Sequence, residues 1–187
     1  MSAPWERPPL APPPPPCAPS ALGVDLMAAA RLSRALRRAP RLFERLCAPE
    51  ERWEWTAPEG AGLAWACALW CAKEAAVKAL RTGFWREGVD WPMVAVGAEA
   101  ARHLRAPPDD PRAVWAAWAP WRRAELRAEA ARRWGDSPLW CCALERDGEV
   151  WGWGALRDPQ GDPSTLPSAR RAQGEAAPRA TLRAPRP

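Results

Sequence analysis

The chain has 187 residues and a formal net charge of +5, from 27 Lys and Arg against 22 Asp and Glu, with 48% apolar content. That length suits one domain with extra segments, and the apolar content is ample for a core. The charge-free apolar run Ala61–Ala72 falls well short of the roughly 20 residues that cross a bilayer, and a single histidine, His103, argues against His/Cys zinc sites and His-based triads.

The chain opens on a proline-rich arm. Nine of the 24 prolines lie in the first twenty residues, including the run Pro12–Pro16, which favours an extended polyproline conformation. Residues 1–19 are expected to be a disordered arm. From about Arg157 the chain is Pro, Ala, Gly, Ser and Arg with almost no large apolar residue, so 158–187 are expected to be a disordered tail around a folded core of 20–157.

Within the core, Ala18–Val24 is predicted as a strand ending at Asp25, and Leu26–Ala39 as a helix stopped by Pro40. Arg41–Cys47 is a further helical turn, and Pro49–Trp55 begins another helix with proline at a favoured first position. A long helix follows over Gly60–Leu80, closed by Thr82-Gly83. Its segment Leu63, Trp65, Cys67, Leu69, Trp70 and Cys71 is apolar in every direction, which marks a helix buried on most sides. Val89–Val96 reads as a strand after the Glu87-Gly88 turn. Beyond the prolines at 107, 108 and 111, Arg112–Trp118 is expected to be a strand and Trp121–Trp134 a helix. Leu139–Leu144 and Glu149–Leu156 flank Asp147-Gly148, a strong hairpin signal. The sum is an α+β domain with an antiparallel sheet wrapped around one long central helix.

Six cysteines include no Cys-x-x-Cys pair and read as buried thiols in a reducing compartment. Fourteen tryptophans with no tyrosine are expected to fill apolar positions, with a base-stacking platform as the sharper alternative.

Charge enters the buried helix at Lys73, Glu74 and Lys78. A charge in a largely buried element must be paired or must bind something. An i,i+4 pair between Glu74 and Lys78 on an exposed helix end would account for two of them and be worth a few tenths of a kcal/mol. The other reading joins them to Gly23-Val24-Asp25, since Glu74 follows Asp25 by 49 residues. A second feature is the arginine row Arg31, Arg34, Arg38, Arg41 and Arg45, with Arg37 beside it, against the single Glu44. By charge alone such a face is solvated, or meets an anionic partner, nucleic acid or membrane.

The Gly23-x-Asp25 strand end followed by Lys73-Glu74-Ala75-Ala76-Val77-Lys78-Ala79 resembles the signature of the 4′-phosphopantetheinyl transferase superfamily, in particular its small holo-acyl-carrier-protein synthases. The resemblance implies transfer of 4′-phosphopantetheine from coenzyme A to a serine of an acyl carrier protein, with release of 3′,5′-ADP. It implies Mg²⁺ held by Asp25 and Glu74, for two carboxylates about 5 Å apart would repel by roughly 3 kcal/mol unless a cation or proton joins them. Glu74 and Lys78 are then the catalytic candidates, and Lys73, Lys78, Thr82 and Gly83 the residues expected to bind coenzyme A. Arg31, Arg41 and Arg45 are expected to receive the acidic carrier protein. The resemblance also implies a homo-oligomer, commonly a trimer in the family; a cytoplasmic location is expected by default from the lack of a membrane-spanning run, with no nucleic-acid or membrane partner expected.

The chain departs from the family pattern at Ala28, where an acidic residue is usual, and at Leu69, where an arginine is usual. Arg81-Thr82-Gly83 replaces Gly-Thr-Gly, Asp109-Asp110-Pro111 is the nearest counterpart of Gly-Lys-Pro, and Glu145 and Arg146 stand where many members have Ser and His. A non-catalytic carrier-binding homologue and a basic nucleic-acid-binding module are the alternatives these features leave.

Overall fold

The computed structural model describes residues 11–16, 18–52, 59–82, 89–96, 110–135 and 137–157. Five strands form one antiparallel sheet in the order β1-β5-β4-β3-β2, where β1 is Ala21–Ala28, β2 Val94–Ala95, β3 Arg122–Leu126, β4 Leu139–Arg146 and β5 Glu149–Leu156. The helices are α1 (Ala29–Arg38), α2 (Arg41–Leu46), α3 (Gly60–Ala79), α4 (Pro111–Trp118) and α5 (Ala128–Trp134). Helix α3 lies across β1, β5 and β4. The expected α+β class, an antiparallel sheet folded against one long helix, is the observed one.

Small residues make this contact. A Cβ added to Gly23 would lie 2.0 Å from the Ala75 carbonyl oxygen, one at Gly152 would lie 2.3 Å from that of Cys71, and one at Gly154 would lie 2.5 Å from that of Ala75. The helix answers with Cys71, Ala72, Ala75, Ala76 and Ala79, all buried. Backbone therefore rests on backbone. Around this seam Trp65 and Trp118 pack edge to face at 5.1 Å, and Leu69, Val77 and Leu139 close the core. Several tryptophans are thus core residues, as expected of the apolar role. The five described cysteines, Cys47, Cys67, Cys71, Cys141 and Cys142, are free and buried.

The β4–β5 hairpin turns on Asp147 (φ 56°) and Gly148 (φ 80°), both left-handed as a two-residue primed turn requires. Strand β1 starts and ends later than expected and runs through Asp25, because residues 21–28 all find partners on β5, from Ala21 opposite Leu156 to Ala28 opposite Glu149. Helix α1 accordingly begins at Ala29 rather than Leu26.

Two expectations are corrected. Residues 112–118 are not a strand but belong to α4: the Asp110 side chain accepts from the Arg112 N–H, Pro111 opens the helix, and Val114, Ala117 and Trp118 are buried at helical spacing. The continuous helix expected over 121–134 is β3 followed by α5, since Arg122–Ala124 pair with β4 and Glu125–Leu126 with β2. Elsewhere the expected elements are shorter. Pro49–Glu51 and Trp91–Met93 are single 3-10 turns: the helix expected from Pro49 stops at Glu51, whose carboxylate turns back to accept from the Ala48 N–H, and Pro92 lacks the N–H that a longer strand over Val89–Val96 would need. The strand expected over Val89–Val96 shrinks to β2. No described helix is long and apolar enough to cross a membrane.

Helix α3 ends in a two-bond cap. The Thr82 N–H donates to the Val77 carbonyl and the Arg81 N–H to that of Lys78, with Arg81 at φ 57°. A left-handed arginine costs about 1 kcal/mol or more relative to glycine. Urea unfolding of the two variants tests both readings: Gly154→Ala should lose about 3 kcal/mol or more, because neither backbone can retreat, whereas Arg81→Gly should gain up to about 1 kcal/mol.

Candidate active site

Strand alternation puts Gly23, Asp25 and Met27 on the face of β1 that meets α3, and Leu22, Val24 and Leu26 on the other, exposed face. Asp25 stands opposite Gly152, whose backbone touches Cys71 of α3. The close seam thus delivers Asp25 to the last two turns of the helix, where Glu74 and Lys78 lie one turn apart. The Lys78 ammonium donates to Asp25 Oδ1 at 2.6 Å and to the Val24 carbonyl at 3.0 Å. The Asp25 carboxylate is 15% exposed and the Lys78 side chain 46%, so the pair faces outward from a sheltered floor. Sequence spacing suggested a Glu74–Lys78 pair, but the lysine's hydrogen bond crosses to the strand.

Glu74 is half-buried. Burial and then the nearby Asp25 charge push its carboxyl above the usual glutamate range, with Lys78 pulling the other way. A carboxyl whose pKa rises on folding favours the folded state only while protonated, so this contribution is lost as pH rises through its titration. A bound divalent cation would offset that repulsion. The Cys71 thiol is pushed up by burial and by Asp25, and it donates to the Val150 carbonyl at 3.4 Å, so it is an inert floor.

The donor set is two hard carboxylates and one ammonium, which leaves one net negative charge. Among the described residues no cluster of three His, Cys, Asp or Glu side chains can enclose a metal. Two carboxylates fit Mg²⁺, which keeps several waters and is commonly completed by substrate phosphate oxygens.

Lys73 has a different setting. Its ammonium and the Glu51 carboxylate are both 0% exposed and 2.6 Å apart. The ammonium also donates to the carbonyls of Leu46, at 2.7 Å, and Trp91, at 2.9 Å, which uses all three of its protons. Glu51 accepts from the N–H groups of Ala48 and Val96, each at 2.7 Å. One ion pair therefore ties the end of α2, the turn after it and the segment that carries β2 to the helix that carries Glu74. Burial pushes the Lys73 pKa down against the pull of Glu51. Lys73 was expected to receive phosphate, yet no donor of its ammonium is left over. The rule that a buried charge needs a partner is obeyed; the partner, Glu51, was missed because it sits in an acidic Pro-Glu-Glu turn that reads as a solvated helix start.

Arg31, Arg41 and Arg45 are exposed on α1 and α2, together with Arg34 and Arg38. Leu32, Leu36, Phe43 and Leu46 hold the opposite faces in the core. Thr82 is half-buried at the cap of α3, and Gly83 lies outside the described residues. Leu69 is fully buried in the core, and Ala28 is exposed at the end of β1.

A family model described as the 4′-phosphopantetheinyl transferase superfamily matches residues 21–116, just over half of the chain. Among solved structures, the holo-[acyl-carrier-protein] synthase of Neisseria meningitidis is similar at 20% identity and a TM-score of 0.53, over 75% of this chain and 100% of that one. An acyl-carrier-protein synthase–coenzyme A complex from Chronobacterium ammoniagenes is similar at 21% identity and a TM-score of 0.51, over 73% and 96% of the two chains. The Helicobacter pylori synthase in complex with coenzyme A matches at 16% identity and a TM-score of 0.50, over 73% and 99%. These likenesses establish a shared fold. No curated protein sequence matches the chain.

Breaking the buried pair checks its role. Lys73→Met should cost about 3–5 kcal/mol in urea unfolding by stranding Glu51, whereas Lys73→Met with Glu51→Leu should recover much of that loss.

Proposed function

From the premise that the chain belongs to the 4′-phosphopantetheinyl transferase superfamily, we propose that it transfers 4′-phosphopantetheine from coenzyme A to a serine of an acyl carrier protein. The reaction is Mg²⁺-dependent and releases 3′,5′-ADP. The observation that carries the reading is the convergence of Asp25, Glu74 and Lys78 across the β1–α3 seam, with Lys78 bonded to Asp25 at 2.6 Å.

In this reading Asp25 and Glu74 hold the cation. Bound Mg²⁺ supplies charge stabilisation on the diphosphate and orients it. The serine oxygen forms a new ester bond to the phosphorus that carries the pantetheine arm as its proton is released to water, the bond from that phosphorus to the bridging oxygen breaks, and 3′,5′-ADP leaves with the electron pair of that bond. Lys78 is half-exposed at the mouth of the site and can turn its ammonium from Asp25 to a diphosphate oxygen. Lys73 supports the site from inside by fixing the register of α3, and Thr82 and Gly83 are the residues offered to phosphate. Arg31, Arg41 and Arg45 give an exposed basic face for an acidic carrier protein. A cytoplasmic location agrees with five free buried thiols, and a homotrimer with coenzyme A between subunits is the proposed assembly.

Leu69 and Ala28 favour a second reading. Leu69 is 0% exposed, so a residue the family uses for charge is committed to the core, and a homologue that binds the carrier without turnover fits that change. Intact-mass spectrometry of an apo acyl carrier protein incubated with the protein, coenzyme A and Mg²⁺ separates the two. The enzyme reading expects a gain of one phosphopantetheine, lost on Asp25→Ala, on Glu74→Ala or on chelation, and slowed by about 10²–10³-fold in Lys78→Ala. Carrier binding without any mass gain, across fatty-acid and polyketide carriers, selects the second reading.

A further inference from the structure

The face of the sheet turned away from α3 carries two indoles, Trp151 half-buried and Trp153 buried. Because Gly152 and Gly154 meet the helix, alternation places Trp151 and Trp153 on the opposite face, beside Val24 and Leu26 of β1 and Cys142 and Leu144 of β4. The two indoles stack at 6.2 Å with 16° between their planes. Trp121, just before β3, stands where the β3–β4 register extends towards Cys142, and its indole N–H donates to the Pro13 carbonyl at 2.6 Å.

The arm meets Trp121 with its own periodicity. Of residues 11–16, Pro12 and Pro15 are half-buried, and Ala11, Pro13, Pro14 and Pro16 are exposed. A polyproline helix has three residues per turn, so burial at every third residue means that one edge of it lies against the protein. Such a helix makes no internal hydrogen bonds and offers its carbonyls freely, while an indole is a donor only. Its shape is preset, so docking orders little chain.

We propose that the tryptophan-lined outer face at Trp121 is a recognition surface for a polyproline helix, and that its occupant is this chain's own segment Ala11–Pro16, docked through Pro12 and Pro15. The arm is a strap on the back of the sheet whose front carries Asp25. The proposal stands apart from the transferase reading, since none of its residues belongs to the Asp25–Glu74–Lys78 site.

The test is indole N–H nuclear magnetic resonance on the full-length chain, with the Trp121 signal identified by its loss in Trp121→Phe. In the wild type that N–H should exchange with water about tenfold more slowly than in Pro12→Ser/Pro15→Ser, the factor one such hydrogen bond supplies. Protection should not vary with protein concentration. A peptide of residues 11–16 should restore it in the double variant and leave the wild type unchanged. Equal exchange in the two proteins overturns the proposal. Protection that depends on concentration also overturns it, because the occupant is then a second copy.

Discussion

Helix α3 can lie on the sheet only because three glycines and a row of alanines let two backbones touch. Had β1 or β5 carried side chains at Gly23, Gly152 or Gly154, the helix would stand off by the width of a methyl group or more, since a Cβ at any of these positions would come within 2.0, 2.3 or 2.5 Å of a helix carbonyl oxygen. Hydrophobic burial drives the association, but the glycines set its distance. That distance decides whether a carboxylate on a strand and an ammonium on a helix can bond at 2.6 Å. The site is a by-product of the packing seam, which is why Gly23 and Asp25 belong to one motif: the first lets the helix approach, and the second uses the approach.

A second constraint fixes the helix along its length. The Lys73–Glu51 pair costs desolvation, and pairs of this kind contribute little to net stability compared with an apolar replacement. What it adds is register. Lys73 bonds three partners that come from the two segments flanking α3 in sequence, and Glu51 bonds two backbone N–H groups besides. A helix shifted by one residue would take the Lys73 ammonium away from its three partners and leave Glu51 a buried charge without its counter-ion. Since Glu74 is the next residue, a helix locked at Lys73 is also locked where it meets Asp25.

Much of this was legible in the sequence, for reasons that differ from element to element. The buried helix was readable from its unbroken apolar run, the hairpin from Asp147-Gly148, and the pairing of Asp25 with the helix end from motif spacing. The region from 112 to 134 was not, because Arg112–Trp118 alternates well enough to imitate a strand and Arg122–Leu126 is charged enough to imitate a helix surface. There the Asp110 cap and the strand partners decided the outcome, and the partners lie far away in sequence. Glu51 was hidden for the same reason, since its partner Lys73 is remote and its own neighbours look solvent-facing. The arm read as a free appendage because composition reports what a segment lacks and cannot show the hydrogen bond from the Trp121 indole to the Pro13 carbonyl, which joins residues 108 apart in sequence.

The seam forces two carboxylates, Asp25 and Glu74, into one electrostatic environment. That shared environment is tested most directly by following the Glu74 side-chain carboxyl through a pH titration by carbon-13 resonance, metal-free, in the wild type and in Asp25→Asn. A midpoint above the ordinary glutamate range in the wild type that falls when Asp25 loses its charge is the predicted result. An ordinary midpoint in both proteins would contradict the account, because the two groups would then not share a site.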